Sequence, residues 1–177
     1  MELLDIMKNR RSVRNYINVP IETEKLNQIL QAGLFSASGK GLRPWEFIVV
    51  MNKETLEKLS ECRDGSAKML AGAGAAIVVI GDAEKTDTWI EDCSIAMANM
   101  HLIADSLGLG SCWIQGRMRR ASDGRTTEEY VREILGFPEK YKLQAILSLG
   151  KIEKHPEGYS LDVLHELLDQ KIHKERY

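Results

Sequence analysis

Trp45-Glu46-Phe47-Ile48-Val49-Val50-Met51 is dominated by β-branched and aromatic side chains and is closed by Asn52-Lys53, so it reads as a strand turning into a helix over about Thr55 to Cys62. Working outward, Ala75 to Ile80 is a second strand, apolar on both faces, and Leu143 to Leu149 is a third. A short strand, Ser111 to Ile114, follows the Gly108-Leu109-Gly110 turn. Helices fill the intervals. Glu2 to Asn9 carries Leu3, Leu4, Ile6 and Met7; a second helix is predicted to open at Pro20, with Leu26, Ile29 and Leu30 on one face and Gly33 as its stop. Glu91 to Leu107 is apolar nearly all round, which suits either the centre of a core or a second subunit. Thr126 or Thr127 caps a helix that Gly136 and Pro138 end. Ser160 to Tyr177 alternates apolar and charged residues at helical spacing and then turns polar. These elements are too irregular in order for a doubly wound sheet, and the fold class expected is α+β.

The composition narrows the function classes. At 177 residues the chain suits one domain over 1–177, long enough to bury a core without staples. Twenty-four Lys and Arg against 26 Asp and Glu leave a net charge of −2, which supplies no field for nucleic acid. Cys62, Cys93 and Cys112 are odd in number and form no C-x-x-C pair, so no disulfide framework or thiolate metal site is expected. Met69 to Gly81 is an uncharged run of 13 residues, short of the ~20 a spanning helix needs. The start, MELLDIMKNRR, places acids before bases, the reverse of a signal peptide. A cytoplasmic protein without membrane or nucleic-acid partners is the expectation.

Five segments invite a chemical reading. Arg10-Arg11-Ser12-Val13-Arg14 sets three guanidiniums and a hydroxyl within five residues, a donor set that suits a phosphate monoester, although cations after a helix also complement its dipole. Ser36 to Gly41 precedes a strand and opens no helix, so it is no Walker loop; its small residues and Lys40 suit either a ligand or an ordinary connection. Gly72-Ala73-Gly74 comes before its strand, where the Rossmann logic needs glycines after it, and reads as close packing. Gly108 to Trp113 is a helix stop leading either to a core Trp or to a pocket wall. Arg117, Arg119, Arg120 and Arg125 read as a solvated loop. Cys112 has no neighbouring base, and the four histidines lack metal-ligand spacing; His101 reads as a satisfied interior residue, and Glu91 and Asp92 as first-turn helix acids.

Together the segments resemble the nitroreductase family of flavoproteins. The opening Arg-Arg-Ser-Val-Arg, then Ser38-Gly39-Lys40 ahead of Pro44-Trp45-Glu46-Phe47-Ile48-Val49-Val50, then Gly108 to Ile114, then Leu149-Gly150-Lys151 are similar to that family's motifs in order and spacing. The resemblance implies a three-layer sandwich, a mostly antiparallel sheet flanked by helices, paired into an intertwined homodimer with FMN at the interface. It implies that Arg10, Arg11, Ser12, Arg14 and Lys151 hold the FMN phosphate, with Gly150 giving backbone access. Ser38 and Lys40 would lie against the flavin, and the backbone at Trp113, Ile114 and Gln115 would approach its reactive edge. The tail from about 160 to 177 would reach over the partner. Gly41 stands where members commonly carry Asn, and Arg43 where they carry Gln.

The implied activity is ping-pong transfer of hydride from NADH or NADPH through FMN to a small acceptor such as a nitroaromatic, quinone or flavin, with no catalytic side chain required. The rival is an FMN-binding carrier or sensor with little or no turnover.

Overall fold

The computed structural model describes residues 2–177; Met1, the first residue of the predicted domain, lies outside the described residues. Among the described residues six α-helices and four strands follow in the order α1 (Leu3–Asn9), α2 (Thr23–Leu34), β1 (Trp45–Val50), α3 (Lys53–Leu59), β2 (Ala75–Asp82), α4 (Trp89–Ser106), β3 (Gly110–Gln115), α5 (Thr127–Leu135), β4 (Tyr141–Gly150) and α6 (Leu161–Lys171). The strands lie side by side as β1-β2-β4-β3, every neighbouring pair antiparallel.

Alternation along the two central strands builds a core on each face. Ala75, Ile77 and Val79 of β2 join Ala145, Leu147 and Leu149 of β4 beneath α2 and α4. Ala76, Val78 and Ile80 join Leu143 and Ile146 beneath α3 and α5. The strict period of two is interrupted once, where Val79 pairs with Ala145 but Ile80 pairs with Leu143. Gln144 is the extra residue, and its carbonyl accepts from the amides of Gly116 and Arg117 just beyond β3. The result is the expected α+β three-layer sandwich.

Local chemistry sets the helix ends. Thr126 and Glu129 form a reciprocal capping box on α5, and Gly136 closes that helix at φ 72°. Asn52 caps α3 by accepting from the Thr55 amide at 2.9 Å. Two expectations are corrected. Pro20 lies ahead of the helix, and α2 begins at Thr23; Gly33 lies within that helix, because the ring of Phe47 occupies the space a Cβ would need, 2.8 Å away. On α4, Glu91, Ile95 and Ala98 remain exposed, so the helix is buried on most but not all of its circumference.

Candidate functional site

Beyond α1 the chain runs extended along the edge of β3. The Val13 amide donates to the Ser111 carbonyl at 2.9 Å, Ser12 pairs with Ser111, and Ile17 donates to the Lys151 carbonyl at 2.9 Å. Two glycines make this contact possible. A Cβ on Gly110 would stand 2.4 Å from Ile152 and 2.9 Å from Val13; one on Gly150 would stand 2.5 Å from the Tyr16 ring. Gly150 therefore admits the protein's own N-terminal segment.

That docking opens a cleft of about 410 Å³ lined by Met7, Arg10, Ser12, His101, Leu102 and Trp113. Arg10 lines it, Arg11 and Arg14 follow in the same segment, and among the described residues none of the three is ion-paired with a carboxylate. Arg10 Nη1 donates to His101 Nε2 at 2.8 Å, and Arg11 stacks over the Tyr159 ring at 4.1 Å. Lys151 is drawn toward Glu22 instead, at 2.6 Å. The Trp113 indole donates to Gln115 at 2.9 Å, while the Ile114 side chain is buried on the opposite face of the sheet, leaving only its backbone to face the cleft.

Burial governs the titratable groups here. Desolvation, with the Arg10 charge adding to it, pushes His101 down to about 4. Burial raises the Cys112 thiol against the pull of Arg14, Ser12, Arg63 and Arg10. Cys62 and Cys93 are pushed up to about 12, again by burial, so no thiolate nucleophile is on offer. Among the described residues no three His, Cys, Asp or Glu side chains gather as a metal site, and no helix is long and apolar enough to cross a membrane.

Ser38 and Lys40 sit elsewhere. The loop leaving α2 lies along α4: Ser36 accepts from Asn99 Nδ2 at 2.9 Å, and the Gly39 amide donates to Asp92 Oδ1 at 2.9 Å. Thr88 donates to the other Asp92 oxygen at 3.3 Å, and Ser38 Oγ accepts from the Arg43 amide at 2.9 Å. Lys40, Gly41 and Arg43 all adopt left-handed φ, at 53°, 68° and 49°. For Lys40 and Arg43 that backbone is sparsely populated and must be held by its surroundings. Asp92 and His101 are nine residues apart on α4, which is about 13 Å along the axis and half a turn around it. Within one chain the loop and the cleft face away from each other.

Sequence reasoning missed Asp92 as a loop anchor and His101 as an arginine partner. Asp92 does sit in the first turn of α4, but it is 3% exposed and spends its oxygens on Gly39 and Thr88. A wider concavity of about 730 Å³ between α3 and α5 is lined by Glu54, Glu57 and Glu61 against Lys58 and Lys68, the latter paired to Glu61, so its carboxylates outnumber its cations.

Known proteins share this fold. The sequence profile of the nitroreductase family matches residues 7–62 and 59–151. A protein of Archaeoglobus fulgidus, provisionally named an NADH dehydrogenase/NAD(P)H nitroreductase, is 34% identical over 99% of both chains. An FMN-dependent nitroreductase from Clostridium difficile R20291 superposes with a TM-score of 0.92 at 45% identity, covering 98% of this chain and 99% of that one. The NADPH:FMN oxidoreductase of Vibrio harveyi, solved with NAD+, gives 0.79 at 25% identity over 99% of this chain and 77% of its own.

Proposed function

The chain belongs to the nitroreductase family, and on that premise we propose that it is an NAD(P)H-dependent FMN oxidoreductase acting on a small electron acceptor. The observation that carries the proposal is the Arg10 guanidinium beside the Ser12 hydroxyl at a cleft walled by Trp113, with Arg11 and Arg14 in the same short segment and, among the described residues, none of the three paired with a carboxylate. Such donors fit a phosphate monoester, and the indole fits the apolar part of a flavin. When bound, FMN would supply the redox chemistry, two-electron transfer between NADH or NADPH and a nitroaromatic, quinone or free flavin with ping-pong kinetics.

The residues of the chain bind and orient. Arg10, Arg11, Ser12 and Arg14 hold the phosphate, and Lys151 joins them by exchanging Glu22 for it. The backbone of Trp113 and Ile114 lines the approach, while Gly150 serves indirectly, by admitting the Tyr16 ring that seats the arginine-bearing segment.

Ser38 and Lys40 reach the cofactor from a second copy of the chain. The half-turn between Asp92 and His101 supports that reading, because a loop facing away from its own cleft is free to complete another. The C-terminal segment supports it too. His155 is tied to Asp105 at 2.7 Å and the Tyr159 amide to the Lys8 carbonyl at 3.0 Å, yet α6 beyond them leaves Leu161, Leu164, Leu167 and Leu168 exposed. Residues 160–177 thus read as an arm of one domain that spans the chain and lies over its partner. The three free, buried cysteines suit a reducing compartment, and we assign the cytoplasm.

An anaerobic visible spectrum of FMN-supplemented protein, taken before and after NADH or NADPH, tests the proposal. Rapid bleaching of bound flavin is expected. Flavin that binds but stays yellow supports the carrier reading instead, and protein that takes up no FMN overturns both.

A further inference from the structure

Buried imidazoles next to guanidiniums have few ways to be satisfied, and His101 has one. The residue is 7% exposed, with Nε2 at 2.8 Å from Arg10 Nη1 and Nδ1 at 2.5 Å from Ser111 Oγ. Arginine only donates, so Nε2 must accept; a neutral ring then carries its proton on Nδ1 and donates it to Ser111. Ser111 is 1% exposed and fixed in β3 by its pairing with Leu149.

We infer that His101 is a positioning residue for Arg10, a neutral bridge that ties the guanidinium to β3 and so aims its remaining N–H groups at the anion in the cleft. The bridge itself follows from the contacts; naming the anion as the FMN phosphate rests on the function proposed above. The groups that meet the ring are Arg10 from the segment after α1 and Ser111 from β3. On α4 itself Asp105 lies one turn away, committed to His155. No carboxylate compensates a charged ring among the contacts described, and burial and Arg10 both disfavour the imidazolium. Protonation would turn Nε2 into a donor facing a donor and release Arg10.

The test combines nitrogen-15 NMR of the protein without flavin and FMN titrations of wild type, His101→Leu and His101→Gln from about pH 8 to about pH 4.5. The expected spectrum shows an Nδ1–H tautomer that protonates well below the ordinary histidine midpoint. Near neutral pH, His101→Leu loses about tenfold in FMN affinity, and His101→Gln restores most of it because its amide oxygen can accept from Arg10. The ratio of wild-type to Gln-variant affinity then falls as the pH drops, a comparison in which the titration of the FMN phosphate itself cancels. An Nε2–H tautomer, an ordinary midpoint, or equal losses in the Leu and Gln variants would overturn the inference. Wild-type protein that ignores FMN while showing the Nδ1–H tautomer overturns the flavin reading and leaves the bridge standing.

Discussion

The edge of β3 and the loop from Ser36 to Pro44 both rest on α4, but they are held by different means. At the edge, backbone bonds to backbone: Val13 to Ser111, Ile17 to Lys151, with Gly110 and Gly150 letting the segments touch. The loop hangs from side chains, chiefly the Asp92 carboxylate and the Ser36 and Ser38 hydroxyls, and contains two non-glycine residues with left-handed backbone. The edge therefore cannot shift without disturbing the sheet. The loop can be loosened while the core stays intact, which leaves it free to vary as the part that meets a ligand.

The largest effect should come from breaking the edge. Gly110→Ala forces a methyl into Ile152 and Val13 and should cost about 3 kcal/mol or more, read from urea unfolding. Acid should come next. His101 falls from 6.5 to about 4 on folding, so below 6.5 the unfolded chain binds the proton that the folded chain refuses. Stability is whole above pH 6.5 and drains away toward pH 4, by roughly 3 kcal/mol in all; melting curves of wild type and His101→Gln should converge at neutral pH and part in acid. His155 runs the other way, since Asp105 raises its pKa: its contribution is present at low pH and is lost as pH rises.

Arg14→Ala should weaken FMN binding by about 2 kcal/mol, one charge-assisted hydrogen bond, and leave the oligomer unchanged by sedimentation. An unaltered affinity would remove Arg14 from the site. Asp92→Ala should cost about 1–2 kcal/mol and raise hydrogen exchange in the loop while β3 stays protected; equal loosening of both regions would mean that loop and edge are one cooperative unit. Smallest of all, Arg43→Gln should lower the reduction potential of bound FMN by about 30 mV or less, because a cation near the ring favours its anionic reduced form.

The legibility of the sequence follows the same division. Strands β1, β2 and β4 and helix α4 were visible because their patterns are local, and the Thr126 capping box because its chemistry spans only four residues. Gly33 misled because a glycine inside a helix looks like one after it; only Phe47, folded over from β1, shows why it is there. Asp92 looked like a helix-dipole acid because its partner, Gly39, is 53 residues away. His101 is the satisfied interior residue its apolar helix suggested, but its arginine, 91 positions upstream, was out of reach of any local pattern. The phosphate-type residues at 10 to 14 were legible as a cluster of charge, but the separation of Ser38 and Lys40 from them exists only once α4 sets its half-turn between them.

That half-turn has a genetic consequence. If each site draws its cleft from one subunit and its loop from the other, two differently damaged alleles need not be additive. At limiting FMN, a chain carrying Arg14→Ala and a chain crippled in the loop would each be impaired as homodimers. Expressed together, they would form mixed dimers in which one site collects both defects and the other collects neither. Co-expression would then recover activity that neither allele has alone, up to about half a wild-type dimer's worth for every mixed pair.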